Sequence, residues 1–238
     1  MRRIMLDQYT PSQLLHLCRP VAFFRHLAQA DMAQFALLMR HSCLMELEAG
    51  EVLIEKDTVG ERFYSLLAGQ LAIFPEKRQA DTAINELSEG TIVGALSMLN
   101  RQPRTATVAV SSMEGAKVLA TDFSVFGELE DMGRVSLACK LQFFREVAGH
   151  IYRMLKEYQY QVSDDLIREE LCTLMSFEGR RNSPDELEYL TEFASALAWL
   201  LNCCNSRIEP KVRMFSESRL ESRLARRLKL PQRPLVRR

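Results

Sequence analysis

Gly94 and Arg104 lie ten residues apart in the run V-G-A-L-S-M-L-N-R-Q-P-R-T-A-T-V (93–108). That spacing has a chemical use. A glycine opens a short helix, a mostly apolar stretch follows, and Pro103-Arg104-Thr105-Ala106 delivers one arginine. Backbone N–H groups at a helix start attract an anion, and a guanidinium facing them can bind a phosphate with two parallel hydrogen bonds. The pattern reads as a phosphate-binding cassette.

The elements that must hold this cassette are legible on either side of it. Upstream, Phe24–Leu27 followed by apolar-periodic residues to Leu38 predicts small helices. Leu47–Ile54, Asp57–Tyr64 and Leu67–Phe74 then alternate in short runs, with glycines at Gly60, Gly69 and Gly90 where strands must reverse. Such runs, spaced by Gly and Asn/Asp turns, predict an antiparallel β-barrel or roll.

The cassette resembles that of cyclic-nucleotide-binding domains, F-G-E-x-A-L, a short linker, then P-R-x-A. The upstream D-T-V-G-E-R-F-Y (57–64) and L-A-G-Q-L-A-I-F (67–74) resemble the same family's core. The chain is similar to the catabolite-activator/Fnr-type regulators of that family over residues 14 to 160. The resemblance implies an α+β fold: an antiparallel, jelly-roll-like β-roll (a double-stranded β-helix) with N-terminal helices, a long dimerisation helix and a helical C-terminal region. It also implies that Gly94, Ala95, Leu96 and Ser97 present N–H groups to a cyclic phosphate, that Arg104 pairs with it, and that Thr105 reaches the phosphate or a purine edge. This chain departs from the pattern at three places. Val93 stands for the phenylalanine, Ser97 for the alanine, and Ala95 for the glutamate that in the family accepts from the ribose 2′-hydroxyl. The phosphate half of the site is kept and the sugar half is lost, so binding of cAMP or cGMP is expected to be weak or absent. A second copy of the family letters, Phe126-Gly127-Glu128-Leu129, has no P-R-x-A after it and follows the last candidate strand. Glu128 is expected to be a solvent-facing helical residue.

Beyond the roll, Leu137, Leu141, Phe144, Ala148, Ile151, Leu155, Tyr158 and Val162 recur in alternating steps of four and three. That period keeps one apolar seam along a helix. It suits packing on the chain's own barrel or pairing with a second copy, and the family resemblance favours a homodimer. Ser163-Asp164-Asp165 is a start signal for a further helix through Met175, and Ser183-Pro184-Asp185-Glu186 for another. The second holds Leu187, Leu190, Phe193, Leu197, Leu200 and Leu201 and needs a partner surface. The expected divisions are 14–131 for the roll with its helices, 132–162 for the long helix, 163–206 for a helical output region and 207–238 for a basic tail. That tail carries eleven Lys or Arg against three Glu, in a chain of zero net charge. Arg219, Arg223, Arg226, Arg227 and Lys229 are its candidate nucleic-acid contacts. No helix-turn-helix pattern accompanies them.

Other function classes find little footing. No G-x-S-x-G, H-E-x-x-H or Walker-type loop is present, so no enzyme is expected. Six cysteines show no C-x-x-C spacing, which predicts reduced, mostly buried thiols, no metal and no cofactor. The longest apolar run, Phe193–Leu201, is too short for a bilayer, and the N-terminus is a poor secretion signal, so a cytoplasmic location is expected. These observations converge on a non-enzymatic, bacterial-type sensor. Its cyclic-nucleotide-binding-like roll would signal through the long helix to a C-terminal output such as transcription regulation, with DNA or a protein as partner. The alternative is a ligand-independent protein-interaction module with a degenerate, non-binding domain.

Overall fold

The computed structural model describes residues 1–74, 83, 85–95, 97, 102–162 and 177–205, with side chains to 156 and 201 in the last two helices. The start signals around Ser163–Asp165, the helix expected through Met175 and all the basic-tail residues, Arg219, Arg223, Arg226, Arg227 and Lys229 among them, lie outside the described residues.

Three short helices precede the sheets: α1 (Pro11–Cys18), α2 (Ala22–Ala30) and α3 (Met32–Arg40). Thr10 starts α1 with a capping box in which its side chain and that of Gln13 each serve the other's backbone N–H. The Asp31 carboxylate accepts from the N–H groups of Ala33 and Gln34 and so starts α3. These helices bury Phe23, Phe24, Phe35 and Leu38 against the β-roll.

The strands are β1 (Arg2–Met5), β2 (Ser42–Leu47), β3 (Val52–Ile54), β4 (Arg62–Ala68), β5 (Leu71–Phe74), β6 (Asn85–Leu87), β7 (Ile92–Val93), β8 (Thr107–Val110) and β9 (Ala116–Asp122). They form two antiparallel sheets in the orders β1-β2-β9-β4-β7 and β3-β8-β5-β6. The expected α+β fold with an antiparallel roll is what the chain adopts. β1 escapes sequence reading because only Ile4 of its four residues turns towards the core. It is held by its ladder to β2, with Arg3 opposite Met45. β7 is short, but pairing of Val93 with Tyr64 on β4 fixes where Gly94 emerges.

The roll closes with Asp122 capping a 3₁₀ turn over Phe123–Phe126. Gly127, at φ +61°, ends that turn, so Phe126–Leu129 does not continue as a helix. Glu128 is exposed as expected, but in a turn. The long helix α4 (Leu137–Val162) follows. Lys140, 1% exposed, ties its first turns to the preceding loop by donating to the carbonyls of Glu128, Leu129 and Asp131. All three ammonium protons are thereby used, which is what a buried lysine requires. Burial pulls its pKa down, while Asp131 and neighbouring acids oppose that.

The heptad stripe is covered by its own chain. Leu141, Phe144, Ala148, Ile151 and Leu155 are all buried within the single chain, Leu137 partly so. The Tyr158 side chain lies outside the described residues. Phe143 meets Phe63 of β4 with ring centroids 4.9 Å apart and Phe23 of α2 at 5.4 Å. The final helix α5 (Pro184–Asn205) packs on α4, burying Leu187, Leu190, Ala194, Leu197 and Leu201 at alternating three- and four-residue steps. Packing on the chain itself, one of the two readings of the heptad period, accounts for the stripe.

α5 begins as its sequence signals require, with the Glu186 N–H donating to the Ser183 hydroxyl. The Glu186 carboxylate, 1% exposed, receives the guanidinium of Arg145 on α4 at 2.7–3.1 Å and the Asn182 N–H. Burial alone would raise its pKa. Arg145, the Asn182 N–H and the charge of Arg181 outweigh that and hold it below the ordinary value of 4.5. A carboxylate with a depressed folded pKa stabilises the fold above its unfolded pKa, and that contribution is lost as pH falls through the folded value. Trp199 on α5 is the sole tryptophan. Its fluorescence is therefore expected to report loosening of α5 as pH falls below 4.5. In Glu186→Gln that acid transition weakens or disappears, with a lower stability already present at neutral pH.

Candidate functional site

β7 delivers Gly94 at φ +81°, a left-handed conformation that glycine tolerates best. Ala95 and Ser97 follow in helical backbone. Arg104 arrives on the strand-like approach to β8 and is pinned through its backbone, its N–H donating to the Thr58 carbonyl and its own carbonyl accepting from the Asp57 N–H, both at 2.8 Å.

The Arg104 side chain turns inward and is 5% exposed. Nη1 donates to the Ser97 hydroxyl at 2.8 Å and to the Gly94 carbonyl; Nη2 donates to the Arg62 carbonyl at 2.6 Å. Three acceptors from two parts of the chain thus converge on one guanidinium. Burial draws its pKa down while Tyr64 opposes the shift; the group remains a cation, as arginine does in proteins. Gly60 lines the other side, and a β-carbon there would overlap the guanidinium. Ala95 is itself buried, at 2% exposure. Among the described residues no carboxylate side chain pairs with Arg104.

Of the residues expected at the site, Gly94, Ser97 and Arg104 are brought into direct contact. Ala95 is beside them, and Leu96 lies outside the described residues. Thr105 is exposed; the buried hydroxyl is that of Thr107, which accepts from the Lys56 N–H at 3.2 Å. Sequence reading missed Gly60 and Arg62 as parts of the site. Arg62 acts through its carbonyl, which no residue type announces. The glycine of the Asp57–Tyr64 motif was the available signal for Gly60.

These observations agree with a comparison against protein families. Residues 44–129 match the cyclic nucleotide-binding domain. The match runs from β2 to just past the 3₁₀ turn. Among curated proteins, the chain is 33% identical over 61 residues to a cAMP-dependent protein kinase regulatory subunit of Mucor circinelloides f. lusitanicus, covering 26% of this chain and 14% of that one. It is 25% identical over 134 residues to the corresponding subunit of Dictyostelium discoideum, covering 54% and 39%. The chain therefore spans well under half the length of these relatives. Among solved structures it is similar to the cAMP-complexed regulatory domain of Toxoplasma gondii PKA, at 17% identity and a TM-score of 0.41, covering 48% of this chain and 43% of that one. None of the proteins just named is a catabolite-activator/Fnr-type regulator. The comparisons support the domain without that narrower type or its bacterial and transcriptional implications.

Among the described residues no group of three His, Cys, Asp or Glu side chains gathers as a metal site. No described helix is long and apolar enough to cross a membrane. Cys18, Cys43 and Cys139 are buried free thiols, and burial pushes Cys18 and Cys139 up to about 12.

Because Arg104 satisfies partly buried carbonyls, it contributes to the fold before any ligand arrives. Arg104→Met is expected to lower ligand-free stability by about 1–3 kcal/mol, the cost of leaving partly buried acceptors unpaired. Urea unfolding checks this; a loss within about 0.5 kcal/mol, the range of an ordinary surface change, would contradict it.

Proposed function

We propose that this chain is a non-enzymatic regulatory module that recognises the phosphate of a cyclic nucleotide at Arg104 and passes the bound state through α4 to its C-terminal region. The observation that carries this is the convergence of Gly94, Ser97 and Arg104 at the end of β7. The match to the cyclic nucleotide-binding domain and the naming of its relatives as cAMP-dependent kinase regulatory subunits support it. On the family resemblance, N–H groups from Gly94 to Ser97 complete the anion site. The phosphate would take over the Nη1 proton that now serves the Gly94 carbonyl. α4, anchored by Lys140 and by Phe143 against Phe63, is the element whose position such a change can bias.

Affinity in this reading is low for two reasons. Ala95 offers no acceptor to a ribose hydroxyl, a loss of roughly 1.5–3 kcal/mol, or on the order of ten- to a hundredfold in Kd. A ligand must also compete with acceptors that Arg104 already holds. The output favoured here is a protein partner, in line with the regulatory relatives. A nucleic-acid output would rest on the basic tail alone.

The second reading, a ligand-independent interaction module, draws on the same geometry: both terminal nitrogens of Arg104 are already engaged by the chain itself. Calorimetric titration with cAMP and cGMP separates the two. The proposal expects weak binding that Arg104→Lys reduces at least about tenfold and that Ala95→Glu strengthens by about tenfold or more. No heat with either nucleotide at about 10 mM, from protein whose unfolding curve is normal, would favour the second reading.

A further inference from the structure

A cavity of about 350 Å³ lies outside the roll, between the start of α2, the β6–β7 segment and the middle of α4. This is within the size range of small-molecule sites. Its base is apolar, with Val21, Phe23, Leu87 and Met154 all buried. Its walls differ in charge. Residues Asn85–Ile92 contribute Glu86 and Glu89 and no cation. The α4 wall contributes Arg153 and His150, together with Glu146, which already faces His26 at 3.7 Å.

Two further facts mark the α4 side as receptive to an anion. Neither Arg153 nor His150 has a hydrogen-bond or ion-pair partner among the described residues. Burial, with the Arg153 charge adding, holds His150 down to about 4, so near neutral pH its imidazole is uncharged and Arg153 is the cation of that wall. The start of α2 also borders the cavity, and Val21 supplies no side-chain cap to its first N–H groups. On the opposite wall Glu89 uses one oxygen on the Gly69 N–H at 3.4 Å, leaving carboxylate capacity beside Glu86.

We propose that this cavity is a second ligand site, separate from the Arg104 cassette, and that it takes a compact zwitterion of the free α-amino acid class. The carboxylate lies at Arg153, His150 and the first N–H groups of α2. The ammonium lies at Glu86 and Glu89, and the side chain rests on Leu87 and Met154. An occupant bears on α4 and on Ile92, two residues before Gly94, so it would brace the same strand that presents the cassette. The inference does not depend on nucleotide binding.

The experiment is calorimetric titration of the full chain with the twenty L-amino acids, the best binder then being compared with its N-acetyl and its carboxamide forms. Masking either end is expected to weaken binding about tenfold or more, since each removes a charge-assisted contact. In Arg153→Gln the amino acid should bind no better than its carboxamide. In Glu86→Gln with Glu89→Gln it should bind no better than its N-acetyl form. Both variants change exposed side chains, so the fold is expected to persist, and Trp199 fluorescence verifies it. Absence of binding by every amino acid at about 10 mM, equal binding of the masked forms, or indifference to both sets of substitutions would overturn the proposal.

Discussion

A single buried guanidinium joins the parts of this domain that must cooperate. Arg104 reaches the carbonyl of Gly94 at the end of β7, the carbonyl of Arg62 at the start of β4, and the hydroxyl of Ser97 just beyond the glycine. Both carbonyls need donors once buried, and the guanidinium needs acceptors once desolvated. Removing the guanidinium takes this donor from the Arg62 carbonyl and leaves the Gly94 carbonyl to the Ser97 hydroxyl at 3.3 Å. Gly60 has to lack a side chain because the space its β-carbon would fill belongs to Arg104.

The arrangement also sets the terms for a ligand. A phosphate entering at Arg104 exchanges one set of hydrogen bonds for another, and its gain is only the difference between them. Charge favours the exchange, since a phosphate oxygen is a stronger acceptor than a peptide carbonyl. The missing acceptor at Ala95 opposes it. Movement at Gly94 would travel along β7 and through the β4 ladder to Phe63, whose ring packs at a tilt against Phe143 of α4. Lys140 ties α4 to the loop before it, and the Arg145–Glu186 pair ties α4 to α5.

Much of this was legible in the sequence. The roll followed from glycine-punctuated alternating runs, α4 from its strict period, and α5 from Ser183, Pro184 and Glu186. Spacing pointed to Gly94 and Arg104 as one site, and the family resemblance added Ser97. Other features were hidden for physical reasons. A heptad stripe fits packing within the chain as well as a dimer, and the period alone does not say which surface covers it. The contribution of Arg62 lies in a carbonyl that every residue has. Thr105 is exposed in the bend before β8 and Thr107 is buried as the first residue of that strand; where the bend gives way to the strand decides the difference, and two threonines do not announce it.

The central claim is that Arg104 is held by its own chain at rest and is redirected by ligand. Arginine side-chain NMR, with Arg104 assigned through Arg104→Lys, tests it most directly. Bonds to the Gly94 and Arg62 carbonyls should slow rotation of the guanidinium, giving separate signals for its two terminal nitrogens without ligand and a shift of both when cAMP is added. A single averaged signal like that of a solvent-exposed arginine, unchanged by cAMP, would contradict the account.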